Sequence, residues 1–192
     1  MNNLGATYWT DGYVEGPMYV EQSWLRKASE TQELFWIDEC EEVSRRPMGT
    51  KAPEDSANIA VSEEPTVDDF RKALNSGVAD TPKKERFIRL RLWWAANDPV
   101  RTGKQPTPDD SEWAENLEAF IALLDQDNDD ERLVLAEVAR EVGDFSAALQ
   151  LLEGRDDDFS QFLRALIQKN DTNVRKIVLP AEGAAGWLIE IG

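Results

Sequence analysis

The chain has 192 residues and a mass of 21.7 kDa, which is one domain or two small ones. Its 41% hydrophobic and 31% charged residues give a globular rather than a disordered balance, and a net charge of −17 argues against nucleic acid or an anionic membrane as partner. Histidine is absent, which removes Ser-His-Asp and Cys-His catalysis and every His metal site; the single Cys40 excludes an intrachain disulfide and a multi-cysteine zinc site. No apolar run approaches the length of a membrane span, and the first residues lack the basic and apolar regions of a signal peptide. With one unpaired cysteine, a cytoplasmic protein is expected.

Residues 1–43 read as a β-rich module. Thr7-Tyr8-Trp9 and Tyr13-Val14 flank Asp11-Gly12, a strong hairpin-turn signal, and Gly16-Pro17 marks a second turn. The apolar run 34–37, Leu-Phe-Trp-Ile, reads as a buried strand. Ser, Pro and Gly crowd residues 44–65, which predicts a linker, with a short strand at 59–61.

From residue 66 to 192 the pattern is helical. Thr66 and Asp69 sit at capping-box spacing, Val67, Phe70 and Leu74 share a face, and Gly77 is a stop. Thr81-Pro82 opens a second helix through Trp93 and Trp94, both expected in the core, with Asp98-Pro99 as its end. A third helix opens at 108–111 with the stripe Trp113, Leu117, Phe120, Ile121 and Leu124. Further helices are predicted at about 130–142, 146–153 and 159–169. The tail 186–191 reads as a strand returning to the N-terminal sheet. The fold class is therefore α+β, a small β-rich module followed by a mainly helical bundle.

The N-terminal residues Tyr8-Trp9-Thr10-Asp11-Gly12, Gly16-Pro17-Met18 and the run from Trp24 to Trp36, with the later run from Leu92 to Arg101, resemble a group of uncharacterised bacterial proteins. In that group a Trp-Thr-Asp-Gly hairpin precedes a zinc-ribbon knuckle of the form Cys-Pro-x-Cys-Gly. The resemblance places the two cysteines at Ala28 and Thr31 and the glycine at Gln32. Neither Ala28 nor Thr31 can bind zinc, so the resemblance implies a degenerate ribbon that has lost its metal, held instead by Trp9, Trp24, Phe35 and Trp36. Ala139, Gly143, Phe145 and Ala148 are similar to the turn of a tetratricopeptide helical hairpin, which occurs here once and without a sustained repeat.

Few constellations carry chemistry. No nucleophile elbow, phosphate-cradling loop or dinucleotide fingerprint is present. Cys40 lies among Asp38, Glu39, Glu41 and Glu42, whose negative field disfavours a thiolate nucleophile. The basic run Lys83, Lys84, Arg86, Arg89 and Arg91 is expected to make internal salt links. Residues 125–131 begin like a calcium loop, but its sixth and twelfth positions are Asp130 and Ala136 where glycine and glutamate are needed. A solvated loop with Asp129 or Asp130 capping the next helix is the plainer reading. Residues 156–158 read as an acidic helix start.

The expectation from sequence is thus a non-enzymatic, acidic protein-interaction module without cofactor, catalytic or metal-binding residues. It would bind a basic protein partner, with a toxin-neutralising immunity protein as one member of this class. The partner-facing residues are taken to be Asp125, Asp127, Asp129, Asp130, Glu131, Asp156, Asp157 and Asp158. The alternatives are a carboxylate-based, metal-dependent hydrolase and a nucleic-acid-mimicking inhibitor.

Overall fold

A computed structural model describes residues 5–16, 24–42, 61–104 and 111–177. Within them lie two three-stranded antiparallel sheets and six α-helices, an α+β architecture as the sequence predicts. The backbone groups into two compact units: residues 1–20 with 89–192, and residues 21–88.

In the larger unit, β1 (Thr7–Trp9) and β2 (Val14–Glu15) pair with Thr7 opposite Glu15 and Tyr8 opposite Val14. Gly12 takes φ +80°, the left-handed conformation this turn requires, and Asp11 Oδ1 accepts from the Tyr13 amide at 3.1 Å. The third strand, β6 (Lys176–Ile177), which the sequence reading did not expect, lies on the other side of β1. The strand expected at 186–191 lies outside the described residues, as do Pro17 and the expected strand residues Ile59 and Ala60.

The helices of this unit are the later part of α2 (Pro82–Arg101), α3 (Ser111–Ile121), α4 (Asp129–Glu141), α5 (Phe145–Leu151) and α6 (Asp158–Gln168). One core cluster joins Trp93, Leu117, Phe120 and Val138; another joins Ala136, Ala148, Leu152, Phe162, Leu163, Leu166 and Ile167. Helix α4 serves both, because Ala136 on one side and Val138 on another are both buried. Fully buried Ala136 and Ala148 leave little between the α4 and α5 backbones. Gly143, at φ +81°, makes the reversal, and the Asp144 amide closes it on the Ala139 carbonyl at 2.8 Å.

Several sequence expectations are corrected. Pro99 does not end α2, which continues to Arg101. The proline removes only one helical N–H, the donor to the Ala95 carbonyl, and the helix closes two residues later, where Arg101 Nη1 donates to the Trp94 carbonyl at 2.6 Å and the Lys104 amide to the Pro99 carbonyl at 2.8 Å. Trp94 is half-buried rather than core, since its Nε1 donates to the Asp11 carbonyl at 3.0 Å and its ring meets Tyr13 edge-on. Ile121 is exposed, at the last residue of α3. The cap of α4 is Asn128, one residue before the acids proposed for it, with Oδ1 accepting from the Asp130 and Glu131 amides.

The smaller unit pairs β3 (Leu25–Ala28) with β4 (Leu34–Trp36) and with β5 (Ser62–Glu63). The strand predicted through residue 37 stops at Trp36, where a single 3₁₀ turn, Ile37–Glu39, begins. Helix α1 (Val67–Asn75) carries the predicted capping box, and Gly77 follows it at φ +81°. Asp69 replaces the usual glutamate of that box for a reason outside the helix. Its Oδ2 also takes Lys27 Nζ of β3 at 2.9 Å, in an ion pair almost closed to solvent. Trp36 is buried, stacks edge-on against Phe87 and donates from Nε1 to the Val78 carbonyl at 2.8 Å. Of the four rings expected to hold the 28–32 turn, Trp9 belongs to β1 in the larger unit and Trp24 is 41% exposed.

Gln32 stands in that turn at φ +61°, the conformation glycine favours and the position where the family resemblance places one. Its amide donates to the Ala28 carbonyl at 2.8 Å. Gln32→Gly should raise stability by about 0.5 kcal/mol, the relief of left-handed strain less the added freedom of the unfolded chain. A urea midpoint that falls instead would show that the Gln32 side-chain bond to the Ser29 carbonyl matters more than the strain.

Candidate functional site

The α3–α4 loop and the α5–α6 loop bring the acidic residues singled out in the sequence to one end of the larger unit. Arg155, in the second loop, joins them. Its Nε is 3.0 Å from Asp157 Oδ2 and its Nη1 is 3.4 Å from Asp129 Oδ1. Arg132 reaches Asp129 from the next turn of α4 at 2.7 Å. Segments distant in sequence therefore share one guanidinium, and both α4 and α6 begin there.

The acids divide by what they already do. Asp157 caps α6, accepting from the Ser160 amide at 3.0 Å and the Ser160 hydroxyl at 2.7 Å. Partial burial pushes its carboxyl up, but the Ser160 bonds and the Arg155 charge outweigh this and hold it below the usual range. Glu131 accepts from the Asp125 amide at 2.7 Å, and Asp125 from the Asp127 amide at 2.9 Å. Asp127, Asp130, Asp156 and Asp158 are exposed at the same end. Asp125, Asn128 and Glu131 each turn an oxygen onto the loop's own amides. Among the described residues no group of three or more acidic or cysteine side chains is placed to hold a metal ion.

A second constellation in the same unit is absent from the sequence reading. Asp11, Asn97, Glu137, Arg140 and Glu141 are all buried and form a polar cluster inside the unit. Arg101 Nη2 pairs with Asp11 Oδ2, while the guanidinium lies 4.4 Å from the centre of the Tyr13 ring. Arg140 grips Glu137 through two bonds, Nε at 2.8 Å and Nη2 at 2.6 Å, and also donates to the Asp171 carbonyl. Asn97 Nδ2 is 3.0 Å from Asp11 Oδ2 and 3.3 Å from Glu141, and Trp93 Nε1 donates to Glu141 Oε2 at 2.8 Å. Burial raises the Asp11 carboxyl despite Arg101. Burial, aided by the charges of Glu137 and Asp11, raises Glu141 well above the usual carboxylate range.

In the smaller unit, a groove of about 300 Å³ is lined by β4, the 3₁₀ turn and the loop before α2. Lys84 reaches Glu39 Oε1 at 2.5 Å and Asp80 Oδ1 at 2.8 Å and lies over the Trp36 ring, the kind of internal salt link expected for the basic run. Bonds to Asp80 and Glu39 raise its ammonium. Cys40 is exposed beside this groove and its thiol donates to the Trp36 carbonyl at 3.3 Å. No helix among the described residues is long and apolar enough to cross a membrane. No protein-family model, curated protein or solved structure matches the chain.

Proposed function

We propose that this chain is a non-enzymatic, acidic protein-interaction module whose partner is a basic protein, with toxin neutralisation as one role such a module serves. The observation that carries the reading is the convergence of the two acidic loops on Arg155. Eight carboxylates there meet three arginines, Arg132, Arg155 and Arg164, so the surface keeps a negative excess. A concentrated field of one sign accelerates encounter with an oppositely charged partner and repels like-charged ones. Capping bonds fix Asn128 and Asp157, so the loops are pre-shaped and little ordering entropy opposes docking. The proposal includes the 24–42 hairpin as a ribbon without metal, its turn shaped by Gln32 rather than by thiolates.

The test is affinity capture from the native host with two baits, wild type and a chain carrying Asp127→Asn, Asp130→Asn, Asp156→Asn and Asp158→Asn. A basic protein retained by the first and depleted at least several-fold on the second supports the reading. Equal retention by both baits, or a retained partner without basic character, contradicts it.

A further inference from the structure

The buried cluster of the larger unit contains three carboxylates, Asp11, Glu137 and Glu141, against two guanidiniums, Arg101 and Arg140. The pairing is uneven. Asp11 has Arg101 and Glu137 has both arms of Arg140. The hydrogen bonds to Glu141 come from neutral donors only, the Trp93 indole and the Asn97 amide. A third full negative charge in this enclosed volume has no counter-ion of its own, and the desolvation cost of such a charge is several kcal/mol or more.

We propose that the cluster is a proton-held latch: Glu141 carries a proton while the β1–β2 hairpin is seated, and loss of that proton to solvent lets the Asp11 turn leave α2 and α4. The polar and charged groups of the cluster come from every element packed around it. Helix α4 supplies Glu137 and Arg140, and α2 supplies Trp93, Asn97 and Arg101. The hairpin supplies Asp11 and Tyr13, and the segment after α6 supplies Asp171, whose carboxylate holds Arg175 at 2.7 Å. Burial disfavours the Glu141 anion, and the negative charges of Glu137 and Asp11 add to this; the Trp93 bond and the Arg140 charge oppose it without reversing it.

The geometry says where the strain goes. Asn97 Nδ2 stands between Asp11 and Glu141, so ionised Glu141 and Asp11 would compete for one amide group across a few ångströms. Helices α2 and α4 cannot yield, because Trp93 and Val138 lock them in one core cluster. The hairpin is the smaller element: its strands are three and two residues long, and its turn is held to α2 through Arg101, Asn97 and the Trp94 indole, all on Asp11, so the turn can swing away while β1 keeps its pairing with β6.

Hydrogen exchange on the full chain tests the latch at the Trp94 indole N–H, which donates to the Asp11 carbonyl and is freed when the hairpin turn leaves α2. Between about pH 6 and pH 9 its protection, the measure of hairpin docking, should fall at least ~10-fold while that of the Leu135 and Val138 amides in α4 holds. In Glu141→Gln, which keeps the shape and cannot ionise, hairpin protection should be flat across that range. Constant protection in the wild type, or an equal fall in Glu141→Gln, would overturn the proposal. Should that variant not fold, carbon-13 titration of the wild-type Glu141 carboxyl decides. A neutral carboxyl at pH 6 that ionises together with the loss of hairpin protection supports the latch. A carboxyl already ionised at pH 6, or one that ionises while protection stays constant, overturns it.

Discussion

Arg140→Met should cost about 3–5 kcal/mol of stability, among the largest effects of any single substitution in this chain. Arg140 is fully buried, and its guanidinium is spent on Glu137 by a bidentate grip and on the Asp171 carbonyl. Removing it leaves Glu137 in the interior with its own negative charge beside Glu141 and Asp11. The double variant Arg140→Met with Glu137→Leu should recover most of the loss, because replacing both members of a buried pair with apolar groups removes the stranded charge. Urea denaturation of the two single variants and the double variant measures the coupling. Simple additivity would mean that the pair does not act as a unit.

Lys27→Met should destabilise by roughly 3 kcal/mol, and its effect should depend on pH. Lys27 ties β3 to the first turn of α1 through Asp69, whose carboxyl is held well below the usual range chiefly by the Lys27 bond and then by the Thr66 amide. A carboxyl depressed in the folded state binds fewer protons there than in the unfolded chain. Its contribution is therefore present above the unfolded value of about 3.9 and is lost as pH falls through the folded one. The wild-type advantage over Lys27→Met should be full at pH 7 and should shrink steadily below about pH 4. A gap that stays constant into strong acid would show that Lys27 acts through its packed stem and not through its charge.

Much of the framework was legible because it depends on neighbours in sequence. Asp11-Gly12 announces a turn through the φ it needs, Thr66 and Asp69 announce a helix start through reciprocal bonds, and the spacing of Trp113, Leu117 and Phe120 announces a buried stripe. The acidic loops were legible in the same local way, as runs at helix starts. Their meeting at Arg155 was not, because nothing in residue 155 says which of the chain's many carboxylates it will bind.

The buried cluster stayed hidden for a deeper reason. Glu137 and Arg140 stand three apart on α4, the spacing of an ordinary solvent-facing pair, and charged side chains are rarely fully buried. What buries them is the presence of partners from α2, the hairpin and the segment after α6. One sequence signal was available. Leu133, Val134, Leu135, Ala136, Val138 and Ala139 put apolar side chains around most of α4, which marks a helix covered on nearly all sides. The polar residues of such a helix must find partners inside. Pro99 misled because a proline removes only one helical bond, and α2 has just two residues left beyond it.

The most direct test of the interaction reading is the association rate with the captured basic partner, measured by stopped flow from low ionic strength to about 0.15 M, where the Debye length is about 8 Å. For the wild type the on-rate should fall by at least ~10-fold over that range while the off-rate changes little. The chain with Asp127, Asp130, Asp156 and Asp158 changed to asparagine should start slower and show a clearly shallower salt dependence. An on-rate insensitive to salt, or the same salt dependence in both chains, would contradict the assignment of steering to the Arg155-linked acidic surface.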